Sequence, residues 1–129
     1  MASKRILIID DDPDLVEAVS MLLENEGMEP LAAYGGVEGL EVARAQNPDL
    51  IILDVMMEDK DGFEVAKEIS KDPKLANIRV IMLTAVAEHA MDTSYAPHGA
   101  IKSLEADEWF DKPVDPAALV KRIKELLGD

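Results

Sequence analysis

Three short apolar runs, Ile6–Ile9, Leu50–Leu53 and Val80–Leu83, end in groups with reactive chemistry: Asp10, Asp11 and Asp12 after the first, Asp54 after the second, Thr84 after the third. A fourth short segment, Glu108–Phe110, leads into Lys112 and Pro113. Carboxylates brought within about 4 Å of one another repel by roughly 4 kcal/mol at an effective dielectric of about 20, so several acids sharing one crevice require a counter-ion. Oxygen donors of this kind suit magnesium, which keeps part of its water shell and shares phosphate oxygens. With such a cation present, a carboxylate can attack phosphorus while the cation, an ammonium and a hydroxyl neutralise the oxygens of the transferring group. Asp54 is the best-placed nucleophile.

These groups can meet only if the runs that carry them lie side by side. Each run is continuous and rich in isoleucine, the pattern of a strand buried on both faces of a parallel sheet. Helical stretches lie between them. Asp12 and Pro13 supply an N-cap and a first helical residue, after which Leu15, Ala18, Val19 and Leu22 recur at helical spacing until Gly27. Val37, Leu40 and Ala43 mark a second helix opened by a turn at Gly35 and Gly36; Phe63, Ala66 and Ile69 mark a third; Leu119, Val120, Ile123, Leu126 and Leu127 mark the last.

Met28–Ala33 contains Pro30, and Glu108–Phe110 is very short, so both read as edge strands. Strands alternating with helices predict an α/β, doubly wound parallel sheet with helices on both faces. Ligands of such sheets bind at the carboxyl ends of the strands, near the topological switch point, where the acids, the threonine and the lysine converge.

Composition narrows the function further. A length of 129 residues suits one domain, 1–129, without an appended output module. Thirteen basic against 27 acidic residues give a formal charge of -14, which disfavours direct nucleic-acid binding. No cysteine is present, so disulfides and thiolate chemistry are excluded. No apolar run approaches the ~20 residues needed to span a bilayer, and Met1–Arg5 shows no signal-peptide core. Both points predict a cytoplasmic protein with no membrane insertion.

The segments IIDDDPD, LIILDVMM, DGFE, MLTA and WFDKP stand at these strand ends, in this order. In that order the chain resembles response regulator receiver domains of two-component systems, the CheY-like superfamily, over nearly its whole length. The resemblance implies a five-stranded sheet of flavodoxin-like order 2-1-3-4-5. It implies Asp54 as phosphoacceptor, one Mg2+ ion held by Asp10, Asp11, Asp54 and the backbone carbonyl of Met56, and a bond from Lys112 to the phosphoryl group. Thr84 and the backbone of Ala85 would meet that group from the other side. Thr84 and Trp109 would form the switch pair, reporting through the last strand and the helices on either side of it. The donor would be a sensor histidine kinase or a phosphotransfer protein, the reader a separate downstream protein, and the domain a monomer or a phosphorylation-dependent dimer. On this reading the chain is not an enzyme acting on other molecules; it catalyses only its own phosphorylation and dephosphorylation.

Three features depart from the family. Glu58 stands where proline is common, four residues after Asp54, and is followed by Asp59 and Lys60. Tryptophan at 109 is bulkier than the usual tyrosine or phenylalanine. The segment around 87–106 is atypically long, and Pro97, His98 and Gly99 interrupt its periodicity.

Plainer readings stand beside these. Asp12 is a helix cap. Trp109 taken alone packs at a sheet edge, Thr84 is a strand-end hydroxyl and Lys112 a surface lysine. His89 and His98 are exposed loop residues, and the methionines, Met56 and Met57 among them, are core fillers. Two other functions remain: a binding-only pseudo-receiver, and a small aspartate-nucleophile phosphatase of the haloacid-dehalogenase kind. The latter places its nucleophile on the first strand, with a second aspartate two residues on, where this chain has Met56.

Overall fold

The computed structural model describes residues 3–85 and 106–128. The element order is β1 (Arg5–Ile9), α1 (Pro13–Asn25), β2 (Glu29–Ala33), α2 (Gly36–Gln46), β3 (Leu50–Asp54), α3 (Gly62–Lys71), β4 (Arg79–Ala85), β5 (Glu108–Lys112) and α4 (Pro116–Leu127). All five strands pair in parallel, in the order β2-β1-β3-β4-β5, as the resemblance implies.

The strand sequences explain the layering, because alternate residues of a strand face opposite sides of the sheet. Ile6, Ile8, Leu50, Ile52, Ile81 and Leu83 join Val16, Val19 and Leu23 of α1 and Leu119 and Ile123 of α4 in one core. Leu7, Ile9, Ile51, Leu53, Val80 and Met82 join Leu40 and Ala43 of α2 and Val65, Ala66 and Ile69 of α3 in the other. Each fully buried aliphatic side chain contributes roughly 1.5–3 kcal/mol. Two such layers hold the ends of β1, β3 and β4 in fixed register.

Local signals act where expected. The Asp12 carboxylate accepts from the Asp14 and Leu15 N–H groups at the start of α1, and Gly27 closes that helix's end at φ 79°. Pro30 sits on β2, which pairs with β1 alone. The last strand is longer than Glu108–Phe110, because its pairing with β4 continues to Lys112 opposite Ala85.

Two expectations fail. Val37 is half exposed rather than core, because α2 turns Gly36 toward Lys60 and Val65 and Gly39 toward the sheet; a Cβ on Gly39 would stand 2.5 Å from Ile9 Cδ1. Glycine carries no hydropathy signal, so the periodicity points to the wrong neighbour. Met56 is 58% exposed and Met21 is also exposed, whereas Met57 is buried. The expectations for 87–106, His89 and His98 included, fall almost entirely outside the described residues.

Candidate functional site

The site forms where β1, β3 and β4 end. Ile9 pairs with Leu53, and Asp54 with Leu83, so Asp10, Asp54 and Thr84 occupy successive steps at the carboxyl edge of three adjacent strands. The chain leaves β1 toward β2 on one side, and β3 lies on the other, so this edge is the sheet's switch point.

Asp10 is 0%, Asp54 3% and Thr84 2% exposed. Two carboxylates at that depth need compensation. The Lys112 ammonium supplies part of it, lying 2.9 Å from Asp54 Oδ1 and donating to Asp10 Oδ2 at 3.1 Å. Asp10 Oδ1 also accepts from the Asp12 N–H at 3.0 Å. Burial works against the charge on Lys112, but Asp54 and Asp10 outweigh it, and its pKa stands above the ordinary 10.5.

Asp11 is exposed and completes the cluster: Asp10, Asp11 and Asp54 each offer an oxygen within 4.8 Å of the others. One ammonium cannot neutralise three carboxylates. An all-oxygen donor set with residual negative charge fits a hard divalent cation. Met56 follows within two residues of Asp54, in the loop from β3 to α3, and Ala85 ends β4 beside Lys112.

Trp109 lies on β5 opposite Met82, buried in the core shared with α2 and α3. Its ring centroid is 5.8 Å from that of Phe63, in the first turn of α3, at an interplanar angle of 39°. The ring therefore touches the helix that begins where the loop after β3 ends.

Three residues of this loop carry roles that were not assigned from sequence. Asp61 caps α3 by accepting from the Glu64 N–H at 2.9 Å, and the D-x-x-E spacing is a signal that could have found it. Gly62 lets the chain pass close to the site: a Cβ there would stand 2.3 Å from the Asp54 carbonyl oxygen, and its N–H donates to the Val55 carbonyl at 2.7 Å. Asp59 accepts from the Gly36 and Val37 N–H groups, 3.0 Å each, at the start of α2. Nothing in the sequence announces that contact. A groove of about 470 Å³ opens beside the acids, its lining including Asp11, Tyr34, Val37, Glu38, Glu58 and Asp59.

Comparison with known proteins places this geometry. A family profile described as the response regulator receiver domain matches residues 6–124. The DNA-binding dual master transcriptional regulator RpaA of Synechocystis sp. is 37% identical over 123 residues, 95% of this chain and 48% of that protein. Protein PilH of Pseudomonas aeruginosa is 32% identical over 124 residues, 96% of this chain and 98% of PilH. The chain thus spans about half of one relative and nearly all of the other. The chemotaxis response regulator CheY4 of Vibrio cholerae superposes with a TM-score of 0.83 at 28% identity, over 98% of this chain and 100% of that one.

Proposed function

The chain belongs to the response regulator receiver domain family, and we propose that it is a phosphorylation-activated switch whose phosphoacceptor is Asp54. The observation that carries this reading is the bridge of Lys112 between the buried carboxylates of Asp54 and Asp10, with Asp11 alongside, at the switch point of the sheet.

In the proposed reaction, a carboxylate oxygen of Asp54 bonds to phosphorus while the bond between phosphorus and the donor breaks, the electron pair leaving with the donor. Water later attacks the phosphorus of the acyl phosphate, the bond between Asp54 and phosphorus breaks with its electron pair returning to the carboxylate, and inorganic phosphate is released. Lys112, now bonded to Asp54 Oδ1, turns to the phosphoryl oxygens, and the Thr84 hydroxyl and Ala85 N–H donate to them from β4. Asp10, Asp11, Asp54 and the Met56 carbonyl would hold one magnesium ion, which when bound neutralises charge on the phosphoryl oxygens.

The phosphoryl group brings roughly two negative charges, and the Thr84 hydroxyl moves toward them. Trp109, packed on Phe63, senses that movement and alters the face of β5 and α4. A sensor histidine kinase or phosphotransfer protein donates the group and a separate protein reads the result, in the cytoplasm, without direct contact to nucleic acid. The chain is a phosphoacceptor rather than an enzyme for other substrates. Among the described residues no helix is long and apolar enough to cross a membrane. A phosphatase of the haloacid-dehalogenase kind is not favoured: Asp54 stands on the third strand and Met56 replaces the second aspartate.

Peptide mapping after incubation with a small phosphodonor tests this reading. A phosphoryl group on the peptide containing Asp54 supports it; a group elsewhere, or none, contradicts it.

A further inference from the structure

The loop between β3 and α3 is fixed at two points. At its base, Gly62 lies against the Asp54 carbonyl and its N–H closes on Val55. At its tip, the Asp59 carboxylate takes the Gly36 N–H on Oδ1 and the Val37 N–H on Oδ2, at 3.0 Å each, and Oδ1 also accepts from the Lys60 N–H at 2.8 Å. The N-cap residue of α2, Gly35, has no side chain to satisfy those amides, so an aspartate more than twenty residues away in sequence caps the helix. The junction has no slack: a Cβ on Gly36 would stand 2.9 Å from the Lys60 carbonyl oxygen, and one on Gly35 3.0 Å from the Asp59 carboxylate.

Residues 56–58 lie between the two fixed points. We infer that Asp59 is a positioning residue, which clamps the phosphoacceptor loop to the N-terminus of α2 and so fixes the backbone at Met56 for cation binding. The inference rests on the receiver reading above and extends it to a residue outside the acid, threonine and lysine set. Loss of an outer partner that orients a ligand weakens a metal site by about 10- to 100-fold. The carboxyl of Asp59 is held below the ordinary carboxylate range by the Val37 N–H and then the Gly36 N–H, as a clamp that stays ionised requires.

The α2 helix has a second anchor, which provides the control. At its far end Arg44 pairs with Asp72, which follows α3, at 3.1 Å. Asp72→Asn loosens that end of the same helix, far from Met56.

The test is magnesium affinity of the unphosphorylated protein by calorimetry, with amide hydrogen exchange at Gly36 and Val37, for wild type, Asp59→Ala, Asp59→Asn and Asp72→Asn. Asp59→Ala should bind magnesium on the order of tenfold more weakly and exchange faster at both amides. Asp59→Asn, which keeps one acceptor oxygen, should fall between, and Asp72→Asn should match wild type. Unchanged affinity in Asp59→Ala, or equal weakening in Asp59→Ala and Asp72→Asn, would overturn the inference. A wild type that binds no magnesium would overturn the receiver reading itself, and this inference with it.

Discussion

Lys112 Nζ lies 2.9 Å from Asp54 Oδ1, and this one ion pair joins the edge strand β5 to the centre of the sheet at the site. Because the same ammonium also reaches Asp10, its removal leaves two buried carboxylates facing each other. Lys112→Ala should lower stability in the presence of chelator by about 3 kcal/mol, the low end for breaking a buried pair, since the lysine side chain is partly exposed. Urea denaturation measures this; unchanged midpoints would contradict it. The sign with pH is opposite to that of a carboxylate. The folded pKa of Lys112 is raised, so its contribution is complete below about pH 10.5 and lost as pH rises through the higher folded value. The variant should still accept phosphate yet fail to switch.

Gly62→Ala places a methyl 2.3 Å from a backbone oxygen that cannot turn aside. The expected loss is about 2–3 kcal/mol, the upper part of the range for overpacking, with slower phosphorylation because the Asp54 carbonyl must shift. A variant as stable and as reactive as wild type would show that the loop yields freely.

Thr84→Ala should retain acceptance at Asp54 and lose the downstream change. Trp109 is the only tryptophan in the chain, so its emission reports that change directly. In wild type, a phosphoryl mimic with magnesium should alter the emission; in Thr84→Ala it should not. An equal response in both would remove Thr84 from the switch.

The sequence displayed some of this and hid the rest. Asp10, Asp54 and Thr84 were legible because each ends an apolar run, and a parallel sheet brings run ends to one edge. Pro30 marked an edge strand, and Asp12 with Pro13 marked a helix start. Val37 misled because two of the four buried positions of α2, Gly36 and Gly39, are glycines, whose contribution is close backbone approach rather than hydropathy. Asp59 was invisible for a different reason: its partners lie on another element, and an exposed aspartate in a loop has no periodicity. Gly62 stood inside a quoted motif, but only the approach to Asp54 shows what it does.

Asp72 offers a pH-dependent check. Its carboxyl is held below the ordinary 3.8 by the Lys74 N–H and then by Arg44, so it stabilises the fold at pH above 3.8 and loses that contribution as pH falls through the lower folded value. The stability difference between wild type and Asp72→Asn, followed by urea denaturation, should therefore be constant near neutrality and shrink below pH 3.8. A difference independent of pH down to 2 would contradict the assignment.

The most direct measurement is intact-protein mass after incubation with a small phosphodonor, with magnesium or with chelator, for wild type and Asp54→Asn. A single magnesium-dependent phosphoryl adduct on wild type, absent from Asp54→Asn, is the expected result. An adduct that persists in Asp54→Asn, or no adduct on wild type when magnesium is shown to bind, would contradict the assignment of Asp54.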